Sequence, residues 1–176
     1  MATRRLDDTA VPDTHRDHRS TPAAGDRLAE LRYLILAAQR EGNRLLAQLL
    51  RPLGLTPAQA EIISVLAEHE GLTLAGLSRY VVCETGSPSR LVDTLVRRGL
   101  VEREGGRLDR RVVHLYLTQA GRELAARISE CDRRFDAMYE DLIGERDLDA
   151  VIKTLHRLVE TTISGSKVAR RFGSGD

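Results

Sequence analysis

Two stretches decide the fold: residues 90–103, which read RLVDTLVRRGLVER, and residues 109–121, which read DRRVVHLYLTQAG. In the first stretch, apolar residues recur at helical spacing as far as Gly99, a residue type that commonly ends helices. Residues 100–103 and 112–117 then predict two short strands, because apolar and polar side chains alternate along the second of them. The charged segment between the strands contains a Gly-Gly pair and predicts the turn of a β-hairpin.

Four helices are predicted before this hairpin and two after it. The first ends at Pro52, and the second begins with Thr56-Pro57, a capping side chain followed by proline at the first helical position. The order of helix, helix, short helix, helix and hairpin is typical of a winged helix-turn-helix. We therefore expect a mainly α fold with a small β-wing and a helical dimerisation domain. The helices are predicted over residues 27–50, 57–70, 74–80, 84–98, 118–142 and 148–163.

The chain divides into five segments. Residues 1–26 have few large apolar side chains and predict a disordered arm. The first helix and the last two have apolar stripes longer than one small lobe can cover, which indicates a dimer interface. The segments are a disordered N-terminal arm (1–26), an N-terminal dimerisation helix (27–52), a winged helix-turn-helix domain (53–118), C-terminal dimerisation helices (119–164) and a flexible tail (165–176).

Composition excludes several classes of protein. The 176 residues carry 27 Lys+Arg and 26 Asp+Glu, so the net charge of +1 does not by itself indicate a nucleic-acid partner. The longest apolar run, residues 33–38, is far shorter than the ~20 residues of a membrane helix, so we expect a cytoplasmic protein without a membrane partner. Apart from His15-x-x-His18 in the predicted arm, the histidines and the two cysteines lack the spacing of a metal site, and no catalytic constellation occurs. We expect no metal, no cofactor and no enzymatic activity.

The fourth predicted helix has a polar face suited to DNA. Serine, threonine and arginine are donors that match base edges and phosphates. Asp93 is the exception, and it either orients a neighbouring arginine or accepts a hydrogen bond from a cytosine amine. We call this element the reading helix; Pro88 falls in its first turn if it begins near residue 84. The candidate DNA-binding residues on it are Ser87, Ser89, Arg90, Asp93, Thr94 and Arg97.

Local charge favours a DNA-facing hairpin, which we call the wing. Residues 85–118 contain seven arginines and four carboxylates, a net charge of +3 in a chain whose total is +1. An arginine-rich tip suits the narrow minor groove, whose negative potential attracts guanidinium groups. An ordinary solvated hairpin is the alternative. The candidate wing residues are Arg107, Asp109, Arg110 and Arg111.

The two quoted stretches resemble the MarR family of transcriptional regulators. The sequence DRRVVHLYLTQAG matches the family's wing signature in the spacing of its Asp-x-Arg, Leu-Thr and Gly elements. The resemblance implies a homodimer that binds a pseudo-palindromic operator in double-stranded DNA. It also implies that Arg90 contacts a base or phosphate, that Arg111 enters the minor groove and that Asp109 positions this arginine.

The resemblance also implies a repressor that a small molecule releases from DNA. Arg103 falls where some family members line a pocket for aromatic acids, so a small aromatic or phenolic ligand near Arg103 and Tyr33 is a hypothesis. Cys83, just before the reading helix, offers a second hypothesis, a thiol-based redox sensor, whereas Cys131 lies on an apolar helical stripe and is predicted to pack in the core. A winged-helix module that binds protein is the third.

Overall fold

A computed structural model describes residues 24–82, 87–106, 111–140 and 142–173. The chain separates into two compact units, residues 1–38 and 39–176, and the second contains every element after the first helix. The elements of the chain, in order, are α1 (Ala24–Leu50), a 3-10 turn (Arg51–Leu53), α2 (Pro57–Glu68), β1 (Leu72–Thr73), α3 (Leu74–Leu77), α4 (Pro88–Arg97), β2 (Val101–Gly105), β3 (Val113–Leu117), α5 (Gln119–Glu140), α6 (Glu145–Val159) and α7 (Ile163–Phe172).

The beginning of α2 is set by its capping residues. The Thr56 side chain accepts a hydrogen bond from the Gln59 backbone N–H, and the Gln59 side chain accepts one from the Thr56 N–H. This reciprocal capping box satisfies two backbone donors that a helix start leaves without partners. Pro57 occupies the first helical position, as predicted from the sequence.

A three-stranded antiparallel sheet, in the order β1-β3-β2, completes the fold. Strands β2 and β3 form the predicted hairpin, with Val101 opposite Leu117. The sequence prediction of a two-stranded sheet is wrong, because β1 adds a third strand that pairs Leu72 with Leu115. Two residues are too few to show an alternating pattern, so pairing with β3 defines this strand. The fold class is confirmed: mainly helical, with a small β-wing.

The hydrophobic core joins the elements of what we call the winged lobe, from α2 to β3, to α5. Ile62, Leu66, Leu95 and Leu115 are fully buried or nearly so, and Ile128 extends the same cluster into α5. Burying a side chain of this size contributes about 1.5–3 kcal/mol. The reading helix is therefore fixed to the lobe by its apolar face.

The structure corrects the prediction of a flexible tail over residues 165–176. Residues 163–172 form α7, which begins where the Thr162 side chain accepts a hydrogen bond from the Gly165 N–H. Gly165 is buried where the backbone of Val159 leaves no room for a Cβ. The Gly, Ser and Arg content of the tail suggested fraying, but this cap starts a new helix and Arg171 ties it to α2. Residues 174–176 lie outside the described ranges.

The remaining helices expose apolar surface. Among the described residues of α6, none is buried, and its apolar side chains form one exposed stripe. Within the first unit, α1 likewise exposes large apolar side chains, whereas the predicted arm over residues 1–23 lies outside the described residues. No helix within the described ranges is long and apolar enough to cross a membrane. The exposed stripe of α6 comprises Leu148, Val151, Ile152, Leu155 and Leu158.

Candidate nucleic-acid interface

The reading helix is α4, and it begins later than predicted. Ser87 is extended, with φ −67° and ψ 128°, and the first helical residue is Pro88. The predicted start near residue 84 is therefore wrong. Proline favours the first helical position because its fixed φ suits a helix and its missing N–H is not needed there. Residues 83–86, which include Cys83, lie outside the described residues.

Helix α4 has one buried apolar face and one polar face that carries exposed arginines. Val92 and Leu95 are fully buried and anchor the helix in the core. On the other side, Arg90 and Arg97 are exposed, and Thr94 lies between them along the chain. The hydroxyl of Thr94 donates to the Arg90 carbonyl at 3.0 Å and accepts from Arg97 Nη2 at 2.9 Å. This side of the helix presents the Arg90 and Arg97 guanidinium groups to solvent, and Thr94 orients that of Arg97.

The serine pair lies at the beginning of α4. The hydroxyl oxygens of Ser87 and Ser89 are 2.7 Å apart and share a hydrogen bond. Ser87 makes no capping hydrogen bond with its side chain. Both hydroxyls therefore remain at the helix start, next to the exposed face that carries Arg90.

Asp93 pairs with the wing. Its Oδ1 atom lies 2.6 Å from Nη2 of Arg103 on β2, and both side chains are a little over 40% exposed. Of the two predicted roles for Asp93, the structure shows the contact with a neighbouring arginine. The ion pair neutralises this partly exposed carboxylate, and it joins the reading helix to the wing.

We expect Arg103→Ala to weaken binding to any DNA duplex about threefold, because Asp93 would lose its counter-ion and repel the phosphates. The double variant Arg103→Ala/Asp93→Asn should recover most of that loss. Affinities measured at one salt concentration for the wild type, both single variants and the double variant test this coupling. Strictly additive losses would contradict it.

The two residues of the predicted effector pocket, Arg103 and Tyr33, belong to different compact units. Arg103 lines a surface cavity of about 240 Å³ together with Leu74, Val113 and Leu115. Tyr33 belongs to the first unit, where its ring is exposed and lies 5.4 Å from the Arg32 guanidinium carbon. A pocket for a small aromatic or phenolic ligand stays a prediction.

The wing tip is described on its two sides. The hairpin ladder continues to the hydrogen bond that the Gly106 N–H donates to the Val112 carbonyl at 2.7 Å. Arg111 is exposed and stands two residues before β3. The other predicted tip residues, Arg107, Asp109 and Arg110, lie outside the described residues, so their predicted contacts with DNA stay predictions.

Thr118 is a positioning residue between the reading helix, the wing and α5. Its hydroxyl donates to the Gly99 carbonyl at 2.7 Å and accepts from the Gly121 N–H at 3.1 Å, while its own N–H donates to the Leu100 carbonyl at 3.1 Å. These bonds join the end of the reading helix to the end of the wing and the start of α5. The Leu-Thr-x-x-Gly spacing, which runs to Gly121, was the signal for this junction.

The end of α4 is fixed to the loop before α2. Arg98 Nη1 donates a hydrogen bond to the Gly54 carbonyl at 2.9 Å.

Cys131 is buried, as predicted, with its thiol directed at the Leu49 carbonyl. Among the described residues, no group of three or more His, Cys, Asp or Glu side chains could hold a metal ion.

Known proteins resemble this winged lobe in sequence. The profile of the MarR family matches residues 53–112. The multiple antibiotic resistance protein MarR of Escherichia coli is 30% identical over 103 residues, which cover 58% of this chain and 72% of that protein. The chain belongs to the MarR family. The organic hydroperoxide resistance transcriptional regulator of Bacillus subtilis is 26% identical over 132 residues, covering 75% of this MarR-family chain and 88% of that protein.

Solved structures agree with this assignment. The transcriptional repressor CouR bound to a 23-mer DNA duplex has 26% identity and a TM-score of 0.67, covering 78% of this chain and 99% of that one. A mutant of Escherichia coli MarR in complex with operator DNA shares the fold, with 23% identity, a TM-score of 0.65, and coverage of 78% and 99%. This MarR-family chain is a winged helix-turn-helix transcriptional regulator.

Proposed function

We propose that this chain is a homodimeric repressor that binds a pseudo-palindromic operator in double-stranded DNA. In each protomer, α4 lies in the major groove and the wing reaches the adjacent minor groove. The observation that carries the proposal is the polar face of α4, where Arg90 and Arg97 are exposed and Thr94 is half-buried. This face lies opposite the buried side chains of Val92 and Leu95. The DNA complexes of CouR and of Escherichia coli MarR support it.

Dimerisation is supported by the exposed stripe of α6. Its five large apolar side chains are between 40% and 53% exposed in the single chain. Such a contiguous apolar face on a water-exposed helix favours association. A second copy that covers it would hold two reading helices about one turn of DNA apart, which is the spacing that a palindrome requires.

Release by a small ligand would act through Arg103. A carboxylate or phenolate that binds this guanidinium competes with Asp93 and breaks the link between the reading helix and the wing. Such a ligand lowers DNA affinity only to the extent that it binds the DNA-free arrangement more tightly. An aromatic acid is the chemistry that fits an arginine beside Leu74, Val113 and Leu115.

Selection of bound duplexes from a random pool tests the proposal directly. We expect an enriched pseudo-palindrome with half-site centres about 10 bp apart. Retention on unselected duplex should fall steeply as salt rises, because phosphate contacts release counterions. A chain that retains no duplex at low salt would contradict the proposal and favour a winged-helix module that binds protein.

A substitution in the reading helix tests whether Arg90 contacts a base. Arg90→Ala should weaken binding to the selected operator by roughly 1–3 kcal/mol and weaken binding to a scrambled duplex much less. The reason is that a base contact is lost only where the matching base is present. Arg133→Ala, which removes an exposed arginine from α5, is the matched control and should change both affinities little.

Fluorescence anisotropy on the two duplexes measures this difference. Equal losses on the operator and the scrambled duplex, with a shallower salt dependence, would show that Arg90 contacts phosphate and not a base.

A further inference from the structure

Helix α7 follows α6 along the chain and contacts α2 of the winged lobe. Arg171 on α7 makes ion pairs with two carboxylates of α2, with N···O distances of 3.6 Å to Glu61 and 3.5 Å to Glu68. The side chains of Arg171 and Glu61 are only 17% and 12% exposed. Water screens such a pair much less than it screens an ion pair on the surface, so the pair restrains α7 against α2.

Glu61 has a second partner on the path to the reading helix. Its Oε1 atom accepts a hydrogen bond of 2.7 Å from the Val82 backbone N–H. Val81, the preceding residue, is buried in the core. Val82 lies five residues before Ser87, the extended residue that precedes α4. The same carboxylate oxygen therefore faces both α7 and the backbone that leads into α4.

Negative charge surrounds the guanidinium of Arg171. Asp132 on α5 lines the same cavity of about 230 Å³ as Arg171 and Glu61. Burial raises the pKa of Asp132, the nearby Asp136 raises it further, and Arg171 lowers it. Arg171 therefore places a positive charge among carboxylates that come from both α2 and α5.

We propose that Arg171 is a positioning residue for DNA binding, which holds α2 and the approach to α4 in place through Glu61. The inference rests on the proposed function. It assigns to α7 a role in setting the orientation of the winged lobe relative to α6. Loss of Arg171 would remove the guanidinium that faces Glu61 and Glu68, so we expect the Glu61 carboxylate to reorient and its hydrogen bond from the Val82 N–H to weaken.

The test compares Arg171→Met with Arg170→Met, a neighbouring exposed arginine for which the described residues offer no ion pair. We expect Arg171→Met to weaken operator binding about fivefold to tenfold with an unchanged salt dependence, because no phosphate contact is removed. Arg170→Met should change the affinity less than about twofold, and Arg171→Lys should restore most of the affinity because it keeps the charge.

Hydrogen exchange of the Val82 amide provides a readout that needs no DNA. Exchange should accelerate about tenfold in Arg171→Met and remain unchanged in Arg170→Met. Gly165→Ala gives an independent route to the same effect, since its Cβ would overlap the Val159 carbonyl and displace α7. It should also accelerate exchange at Val82.

The outcomes separate the two claims. A wild-type chain that binds no duplex overturns the proposed function, and the role of Arg171 in DNA binding falls with it. If the wild type binds its operator and Arg171→Met binds equally well, only the positioning role is overturned. A variant that lowers the melting temperature while the operator affinity and Val82 exchange stay unchanged also overturns it, since Arg171 would then be a structural contact alone.

Discussion

Replacing Gly121 with alanine is expected to lower the free energy of unfolding by about 3 kcal/mol. The new Cβ would overlap the carbonyl oxygen of Leu100, a backbone atom that cannot move aside independently. The same carbonyl accepts the Thr118 N–H, and the Gly121 N–H itself donates to the Thr118 hydroxyl. Any shift that accommodates the methyl group therefore breaks the junction between the reading helix, the wing and α5.

Urea unfolding monitored by circular dichroism measures this loss. Gly25→Ala is the matched control, because it adds the same methyl group to a helical glycine with open space around it. It should leave the stability unchanged or raise it by about 0.5–1 kcal/mol. A loss below ~1 kcal/mol in Gly121→Ala would show that the junction relaxes easily, contrary to the packing described above.

Leu155→Glu on α6 is expected to convert the protein to a monomer and to weaken operator binding by at least about a hundredfold. Leu155 is 42% exposed in the single chain and belongs to the apolar stripe of α6. A carboxylate at this position would have to be buried without a partner when two copies associate. A monomer then binds one half-site at a time and loses the advantage of simultaneous binding to two.

Sedimentation and anisotropy measure the two effects on the same sample. Lys153→Glu introduces the same side chain on the opposite side of α6 and should leave the protein dimeric. A dimeric Leu155→Glu would place the interface elsewhere. A monomeric Leu155→Glu with unchanged operator affinity would contradict the paired-lobe proposal and leave the DNA-binding role of α4 intact.

Much of the fold could be predicted because its signals are local. The Thr56-Pro57 start of α2 and the alternation along β3 are read from neighbouring residues, and the structure confirms both. Signals that depend on tertiary contact were missed. Strand β1 is two residues long and exists through its pairing with β3, while α7 depends on the Thr162 cap and on Arg171, whose partners are distant in sequence.

The candidate site shows the same division. Helical periodicity was enough to place Arg90, Thr94 and Arg97 on one face of α4. The sequence left two partners open for Asp93, because a carboxylate can pair with any arginine that the fold brings near it. Arg103 comes from β2, so only the packing of α4 against that strand shows the contact with this arginine. Glu61 gave no sequence signal, since the contacts described above, with the Val82 amide and Arg171, join residues that are distant in sequence.

The unburied helix α6 has a consequence for how such a repressor would behave in a cell. A helix without a buried residue in its own chain gains most of its stability from association, so its order depends on protein abundance. On the proposed assembly, the operator-competent species grows with the square of the free subunit concentration when subunits are scarce. Small changes in synthesis or turnover would then shift operator occupancy more than proportionally, which sharpens the response without any additional ligand.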